Sequence, residues 1–172
     1  MLPGDQLFAG AGAQARPDDL GVRDRDPGLK MLTLDHLGVV VSDIDTGSAH
    51  ILATLPVVEC TDRFDDETLG VSVKFYRDAG GLVFELIAPF GDRSPVLKTL
   101  KQNHRLNQLA YICPNIAEAG AALRQARAVP LGPPKPALAF SGSPVQFFWS
   151  QLGFVIELIE APGHRHDFRP CR

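Results

Sequence analysis

Two short apolar segments of the chain each carry one glutamate near their centre. They read GLVFELIAP at 81–89 and GFVIELIEA at 153–161, and the two carboxylates belong to Glu85 and Glu157. Both segments have the composition of a buried strand, where an unpaired carboxylate is strongly unfavourable. We therefore expect each carboxylate to have a compensating partner in the folded protein.

The two glutamates lie 72 positions apart, and the chain repeats itself at that offset. LDHLGVVVSDI at 34–44 aligns without a gap with LNQLAYICPNI at 106–116, and GVSVKF at 70–75 aligns with GSPVQF at 142–147. Over 34–89, 13 of 56 positions are identical to their counterparts 72 residues later. Self-similarity of this kind predicts two copies of one supersecondary unit.

Each copy carries the signals of a βαβββ unit. Asn115 with Glu118 forms a capping-box pattern before a helix in the second copy, and apolar residues at helical spacing follow Ile44 in the first. Between the copies, DRSPVLKTLKQN predicts a helix capped by Ser94, with Pro95 at its first position. Strands are predicted near 34–41, 56–59, 71–76, 82–87, 106–113, 129–131, 145–149 and 154–159. We therefore predict an α+β fold in which two tandem βαβββ modules form a cup-shaped curled sheet around a metal site.

The alternation of side chains along these strands predicts which residues enter the cup. The odd-numbered apolar residues of 37–41 suit packing under a helix, which turns His36 to the opposite face. On the last strand of the first module, Phe84 and Leu86 take the helix face and Glu85 takes the other. The second module has the same parity. Two modules related by a pseudo-twofold would bring together four polar residues: His36, Glu85, Gln108 and Glu157.

An imidazole, an amide oxygen and two carboxylates are suitable ligands for a divalent cation such as Co, Ni, Mn, Zn or Mg. Such an ion would compensate the buried carboxylates and would act as a Lewis acid toward a substrate carbonyl, stabilising an enolate. Glu85 and Glu157 are then the candidate catalytic bases, since one could remove a proton from one face of a carbon and the other could return it. A dioxygenase would need a second histidine in an iron-binding triad, so this class is disfavoured.

The same segments resemble the vicinal oxygen chelate superfamily, which includes glyoxalase I, methylmalonyl-CoA epimerase, extradiol dioxygenases and antibiotic-binding proteins. DHLGVVVSDID at 35–45 looks like the opening strand and turn of that family, and IELIEAP at 156–162 looks like its closing strand. FELIAPFGDRSPVLKTLKQN at 84–103 is similar to the epimerase segment between the second and third ligand positions. The resemblance spans about 33–162 and implies the same four ligands. Epimerases usually have histidine at the position of Gln108, whereas glyoxalase I uses a His/Gln pair with two Glu, so the ligand set is closer to that of glyoxalase I.

The predicted function is a metal-dependent isomerase or epimerase that acts through an enolate intermediate, resembling methylmalonyl-CoA epimerase. Its substrate would be an acyl-CoA or another small carbonyl compound. Two alternatives stay open: a glyoxalase I-type lactoylglutathione lyase, and a non-catalytic binding protein of the antibiotic-sequestering kind. Binding proteins of that kind typically lose the ligand residues that this chain retains. Lys74, Arg77 and Lys135 are weaker candidates for contacting a substrate carboxylate or phosphate.

Composition limits the partners. A net charge of −3 and a pI of about 5.9 give no basic surface for nucleic acid or an anionic membrane. No apolar run reaches the ~20 residues of a membrane span. The first residues show no basic segment followed by an apolar core, and the three widely spaced cysteines fit a reducing compartment. We therefore expect a cytoplasmic protein, with a homodimer as one possible assembly.

Three segments are expected along the chain. Residues 1–30 are rich in Gly, Pro, Asp and Arg, which predicts a disordered N-terminal extension. Residues 31–163 should form the domain, with its modules at 33–89 and 105–162. Residues 164–172, which include GHRHDF, are predicted to be a flexible tail rather than a metal-binding tract.

Overall fold

The computed structural model describes residues 27–102 and 105–171. Most of the predicted disordered extension, 1–26, lies outside these residues. Its last four residues form a short helix, α1 (Pro27–Lys30), and Leu29 of this helix packs against an apolar cluster of the second module. No helix in the described part of the chain is long and apolar enough to cross a membrane.

The first module contains one helix and five strands, in an order that matches the predicted unit with one additional short strand. The additional strand is β3, which pairs with the edge of β4. The elements are β1 (Thr33–Val40), α2 (Ile44–Thr54), β2 (Val57–Cys60), β3 (Phe64–Asp66), β4 (Val71–Asp78) and β5 (Val83–Pro89).

The second module repeats this order after the connecting helix α3 (Leu97–Lys101). Asn115 caps the module's helix as predicted, since its side-chain oxygen accepts hydrogen bonds from the backbone N–H groups of Ala117 and Glu118. A 3₁₀ turn at Leu138–Phe140 precedes the two long strands. The elements are β6 (Leu106–Ile112), α4 (Ile116–Gln125), β7 (Val129–Pro130), β8 (Lys135–Pro136), β9 (Pro144–Trp149) and β10 (Val155–Ile159).

The predicted cap of the connecting helix is wrong. The helix begins at Leu97 with Val96 in the capping position, and no side chain caps it. Ser94 instead belongs to the preceding turns, because its N–H bonds to the carbonyl of Gly91 and its carbonyl accepts from Leu97. These tight turns take up the residues that the sequence assigned to the first helical turn.

One continuous sheet joins the two modules. Nine of the eleven described strands follow the order β11-β2-β4-β5-β1-β6-β10-β9-β7, where β11 is Arg169–Pro170, while β3 pairs with β4 and β8 pairs with β9. β1 and β6 pair antiparallel at the centre, while β1 is parallel to β5 and β6 is parallel to β10. Apart from β11, the order is therefore symmetric about the β1–β6 seam. The predicted α+β fold of two βαβββ modules is confirmed.

The core is divided between the two faces of this sheet. On the helix face, α2 packs on Leu86 and α4 packs on Leu158, each with further apolar residues of its own module. On the cup face, residues of both modules form one cluster that includes Val40, Phe75, Ile87, Phe140 and Val145. The parity of β1 is as predicted, because Val39 and Val41 pack under α2 while His36 and Val40 are buried on the cup face.

The C-terminal segment differs from the predicted flexible tail. β11 pairs antiparallel with β2, and the N–H of Cys171 donates to the carbonyl of Val58 at 3.1 Å. The ring of His166 is only 7% exposed and packs among phenylalanine rings. These backbone and ring contacts offset the entropy of ordering the segment, so residues 164–171 are part of the fold.

Candidate metal centre

His36 is the central residue of the site and is completely buried on β1. Its ring nitrogen Nδ1 lies 2.8 Å from Asp35 Oδ2. Its other nitrogen, Nε2, lies 3.1 Å from Glu85 Oε2 and 3.6 Å from Glu157 Oε2. A proton on Nδ1, donated to Asp35, leaves Nε2 directed at the two glutamates.

Gln108 lies between the two glutamates. Its amide nitrogen donates to Glu85 Oε2 at 3.1 Å and to Glu157 Oε2 at 2.6 Å. The three side chains are 4–6% exposed. The structure thus brings together all four residues predicted from the sequence, two from each module, and no large side chain separates their polar ends.

Gly38 makes the close approach of Gln108 possible. It lies on β1 and is the register partner of Glu85 on β5 and of Gln108 on β6. A Cβ atom at this position would lie 2.2 Å from Cγ of Gln108 and 2.8 Å from its Cδ. Residue 38 must therefore lack a side chain if Gln108 is to reach the glutamates.

Burial and mutual charge shift the pKa values of this cluster. Burial raises the pKa of Glu157 to about 7, and the nearby Glu85 charge acts in the same direction while His36 opposes it. Burial would lower the pKa of His36, but the Glu85 charge and hydrogen bonds to Asp35, Glu157 and Glu85 raise it well above its ordinary value. The cluster therefore favours positive charge at its centre.

The residues fit a divalent cation. A nitrogen of His36 and one carboxylate oxygen each from Glu85 and Glu157 lie within 4.8 Å of one another. Nε2 of His36 is buried without a well-aligned hydrogen-bond partner, although a glutamate oxygen is close to it. A ring nitrogen of this kind, facing carboxylates, has the lone pair and the surroundings that a metal ion requires. Gln108 would join as a ligand by turning its amide so that the oxygen replaces the nitrogen.

Three of the four residues form the floor of a cavity of about 610 Å³. Glu85, Gln108 and Glu157 line it, and His36 lies beneath them. Most of the wall is apolar and comes from both modules: Val71, Val73, Ile87, Phe140, Phe147, Trp149 and Val155. Such a cavity is large enough for a small organic substrate, whose polar atoms would meet the floor.

Of the three basic residues predicted to contact a substrate, the structure places one at the cavity and two elsewhere. Lys135 lines the cavity, as does Lys98, which the sequence did not indicate. Arg77 instead forms an ion pair with Glu59, and its guanidinium lies 4.5 Å from the ring centre of Phe168. Lys74 lies over the ring of Tyr76 at 5.4 Å. Neither Lys74 nor Arg77 is among the lining residues of this cavity.

Sequence reasoning missed Asp35 and His166, which contact each other beside His36. His166 Nε2 lies 2.9 Å from the same Asp35 oxygen that accepts from His36. The available signal was the residue pair Asp35-His36 and the histidines of GHRHDF. A separation of 131 residues in the chain conceals the contact.

Comparisons with known proteins agree with this architecture. The family model described as the Glyoxalase/Bleomycin resistance protein/Dioxygenase superfamily matches residues 35–147. Methylmalonyl-CoA epimerase from Mycobacterium tuberculosis is 21% identical with a TM-score of 0.64, over 75% of this chain and 88% of that one. A hypothetical protein, BH1468, from Bacillus halodurans C-125 is 21% identical with a TM-score of 0.66, over 79% of this chain and 99% of that one. A selenomethionine methylmalonyl-CoA epimerase is 25% identical with a TM-score of 0.59, over 75% of this chain and 94% of that one. No curated protein gave a significant match.

Proposed function

The chain belongs to the glyoxalase/bleomycin resistance protein/dioxygenase superfamily, also called the vicinal oxygen chelate superfamily, and from this premise we propose that it is a divalent-metal-dependent isomerase or epimerase. The substrate class is an acyl-CoA or another small carbonyl compound with an acidic C–H beside the carbonyl group. The reaction would pass through an enolate. The likeness to two methylmalonyl-CoA epimerases supports this class.

One observation carries the proposal: three buried ligand-type residues meet at the floor of a cavity, and a buried histidine lies against them. His36, Glu85, Gln108 and Glu157 would hold the ion beside the cavity. When bound, the ion supplies Lewis-acid stabilisation of negative charge on a carbonyl oxygen.

The two glutamates supply proton transfer. Glu85 and Glu157 lie on either side of the Gln108 amide, at 3.1 Å and 2.6 Å from its nitrogen, and both line the cavity. A carbon acid bound in the cavity within reach of both carboxylates would lose a proton to one of them and receive a proton from the other on its opposite face. Net transfer of this kind inverts the carbon, which is an epimerisation.

The mostly apolar wall would limit the access of water to the reacting carbon. Phe140 and Phe147 come from the second module and Val73 from the first, so closure of the wall depends on both. Exclusion of water strengthens the interaction between a carboxylate and its proton donor or acceptor. It also protects an enolate from protonation by solvent.

A glyoxalase I-type lyase is the second candidate. The ligand set of His36, Gln108 and two glutamates resembles the His/Gln and two Glu of glyoxalase I. Such an enzyme would use the same proton transfer on a hemithioacetal. The antibiotic-type binding protein is less consistent with a site that retains two carboxylates, one imidazole and one amide.

The test is solvent exchange at the reacting carbon. Metal-loaded protein in D₂O should introduce deuterium at the α-carbon of methylmalonyl-CoA or a related 2-substituted thioester, as measured by mass spectrometry. Glu157→Gln should abolish exchange, and Glu67→Gln, which changes an exposed glutamate outside the cavity, should not. Formation of lactoylglutathione from the hemithioacetal would establish the lyase instead. Tight binding of both compounds without exchange would support the binding protein and refute the enzyme proposal.

A further inference from the structure

A single carboxylate oxygen connects the predicted metal ligand to the C-terminal segment. Asp35 Oδ2 lies 2.8 Å from Nδ1 of His36 and 2.9 Å from Nε2 of His166. The Asp35 side chain is 12% exposed and that of His166 is 7% exposed. These hydrogen bonds, and the charges of the two rings, outweigh the effect of burial and hold the pKa of Asp35 below its usual range.

The two histidines also share their aromatic surroundings. Phe75 contacts both rings, with centroid distances of 5.2 Å to His36 and 4.3 Å to His166. Phe140 likewise lies 6.3 Å from His36 and 5.7 Å from His166. A shift of the His166 ring would therefore disturb both the hydrogen bond and the packing that orient His36.

Contacts of the residues that follow His166 hold the C-terminal segment in place. Phe168 lies 5.4 Å from the His166 ring and also packs beneath the guanidinium of Arg77. Beyond it, β11 continues the sheet at the edge strand β2. The segment thus runs from the back of the site to the sheet edge of the first module.

We propose that Asp35 and His166 are positioning residues for His36, and that docking of residues 164–171 is thermodynamically coupled to metal binding. The inference rests on the proposed metal site. An outer partner that accepts the second ring proton fixes the orientation of a metal-binding imidazole and raises its basicity. Because Asp35 is held by His166, the C-terminal segment stabilises the orientation of His36 that binds the ion. By reciprocity, a bound ion must stabilise the docked segment by the same free energy.

The same atoms suggest one other interpretation. Asp35, His36 and His166 also lie close enough together to hold a cation of their own. The two short hydrogen bonds of Asp35 already account for this proximity, and they use the ring nitrogens that a second ion would need. We therefore expect one ion per chain, and stoichiometry distinguishes the two interpretations.

The experiment compares full-length variants titrated with Mn²⁺ in a calorimeter after treatment with EDTA. His166→Phe keeps a ring for packing but removes the N–H donor, whereas His166→Gln offers an amide N–H at a similar reach. We expect Asp35→Asn to weaken Mn²⁺ binding about 10–100-fold and His166→Phe about 3–10-fold. His166→Gln should lie closer to wild type. His50→Gln, on the exposed face of α2, is the matched control and should bind as wild type does.

Hydrogen exchange provides the reciprocal measurement. Mn²⁺ should increase protection of the Cys171 amide, which donates to Val58 at the sheet edge, in wild type and His50→Gln. The increase should be smaller in His166→Phe. The melting temperature of each metal-free variant separates a coupling effect from a general loss of stability.

The outcomes separate this inference from the proposed function. If wild type binds Mn²⁺ and His166→Phe binds equally well, the coupling is refuted while the metal site stands, even if the metal-free melting temperature falls. Two ions in wild type and one in His166→Phe would refute it in favour of a second cation site. Absence of Mn²⁺ binding in wild type would refute the proposed function, and this inference with it.

Discussion

The two modules place different residues at equivalent positions of the same strand. Their first strands, β1 and β6, lie side by side and present His36 and Gln108, which are 72 positions apart. Two residues further along, Gly38 corresponds to Ala110 in the same way. The last strands carry an identical residue, since Glu85 corresponds to Glu157. The two modules therefore share the glutamate of the last strand and differ in the residue that the first strand contributes to the site.

Because of this difference, the two modules surround the site unequally. The first module supplies the ring, which is supported from outside the cup by Asp35. In the second module, Asn107 is the counterpart of Asp35, and it lines the cavity instead. The imidazole of His36 is thus held by a hydrogen bond to Asp35 and is buried, whereas Gln108 lines the cavity. A symmetric pair of ligands would not distinguish the two faces of a substrate.

The largest expected effect concerns the two equivalent carboxylates. Glu157→Gln and Glu85→Gln should each reduce turnover about 10²–10⁴-fold, because each removes one acid–base group. If the two carboxylates serve opposite faces of the carbon, Glu85→Gln retains exchange of one proton with solvent while losing inversion, whereas Glu157→Gln loses exchange as well. Deuterium incorporation measured separately for each substrate epimer checks this division. Equal loss of exchange from both faces in both variants would contradict it.

The second prediction compares the two residues on the first strands. His36→Ala should weaken Mn²⁺ binding at least about 100-fold, since it removes the buried nitrogen ligand. Gln108→Ala should have a smaller effect, because an amide oxygen is a weaker ligand and water can replace it in the cavity. Calorimetric titration of both variants measures the difference. A larger effect for Gln108→Ala would reverse the assignment of the supporting and substrate-facing sides.

The third prediction concerns Gly38 and Ala110. Gly38→Ala should lower the free energy of unfolding by about 1–3 kcal/mol, because its Cβ would overlap the side chain of Gln108. Ala110→Gly should cost about 1 kcal/mol, the ordinary effect of a glycine within a strand. Denaturant titration of the metal-free proteins provides both values. Gly38→Ala should also weaken Mn²⁺ binding, which Ala110→Gly should not match.

The smallest effect is expected from removing residues 1–26. They precede both modules and have little apolar sequence to bury, so the melting temperature and Mn²⁺ affinity should change little. Leu29→Ala is the contrasting change, because Leu29 packs against the cluster of α4. It should lower the melting temperature by a few degrees. A fall of more than a few degrees after removal of 1–26 would contradict the predicted independence of the domain.

The fold and the convergence of four side chains could be predicted because both depend on local regularities. Strand alternation determines which face His36 and Glu85 occupy, and the constant offset transfers that result to the second module. The role of Ser94 could not be predicted in this way, because competing turns decided where the helix begins. The contact between Asp35 and His166 was equally inaccessible. It depends on aromatic packing between segments 131 residues apart, and GHRHDF shows no periodicity that would indicate a strand.

The central seam has a consequence for synthesis of the chain. Among the strands that the structure describes, β1 is the first long one to be made, and β6, which completes its hydrogen bonding, follows more than 60 residues later. Until then β5 covers only one side of β1, and the other side is an open edge bearing unpaired backbone groups next to His36. Such an edge can recruit other strands, including those of neighbouring nascent chains. The interval between translation of the two modules is therefore the period when the protein is most exposed to aggregation.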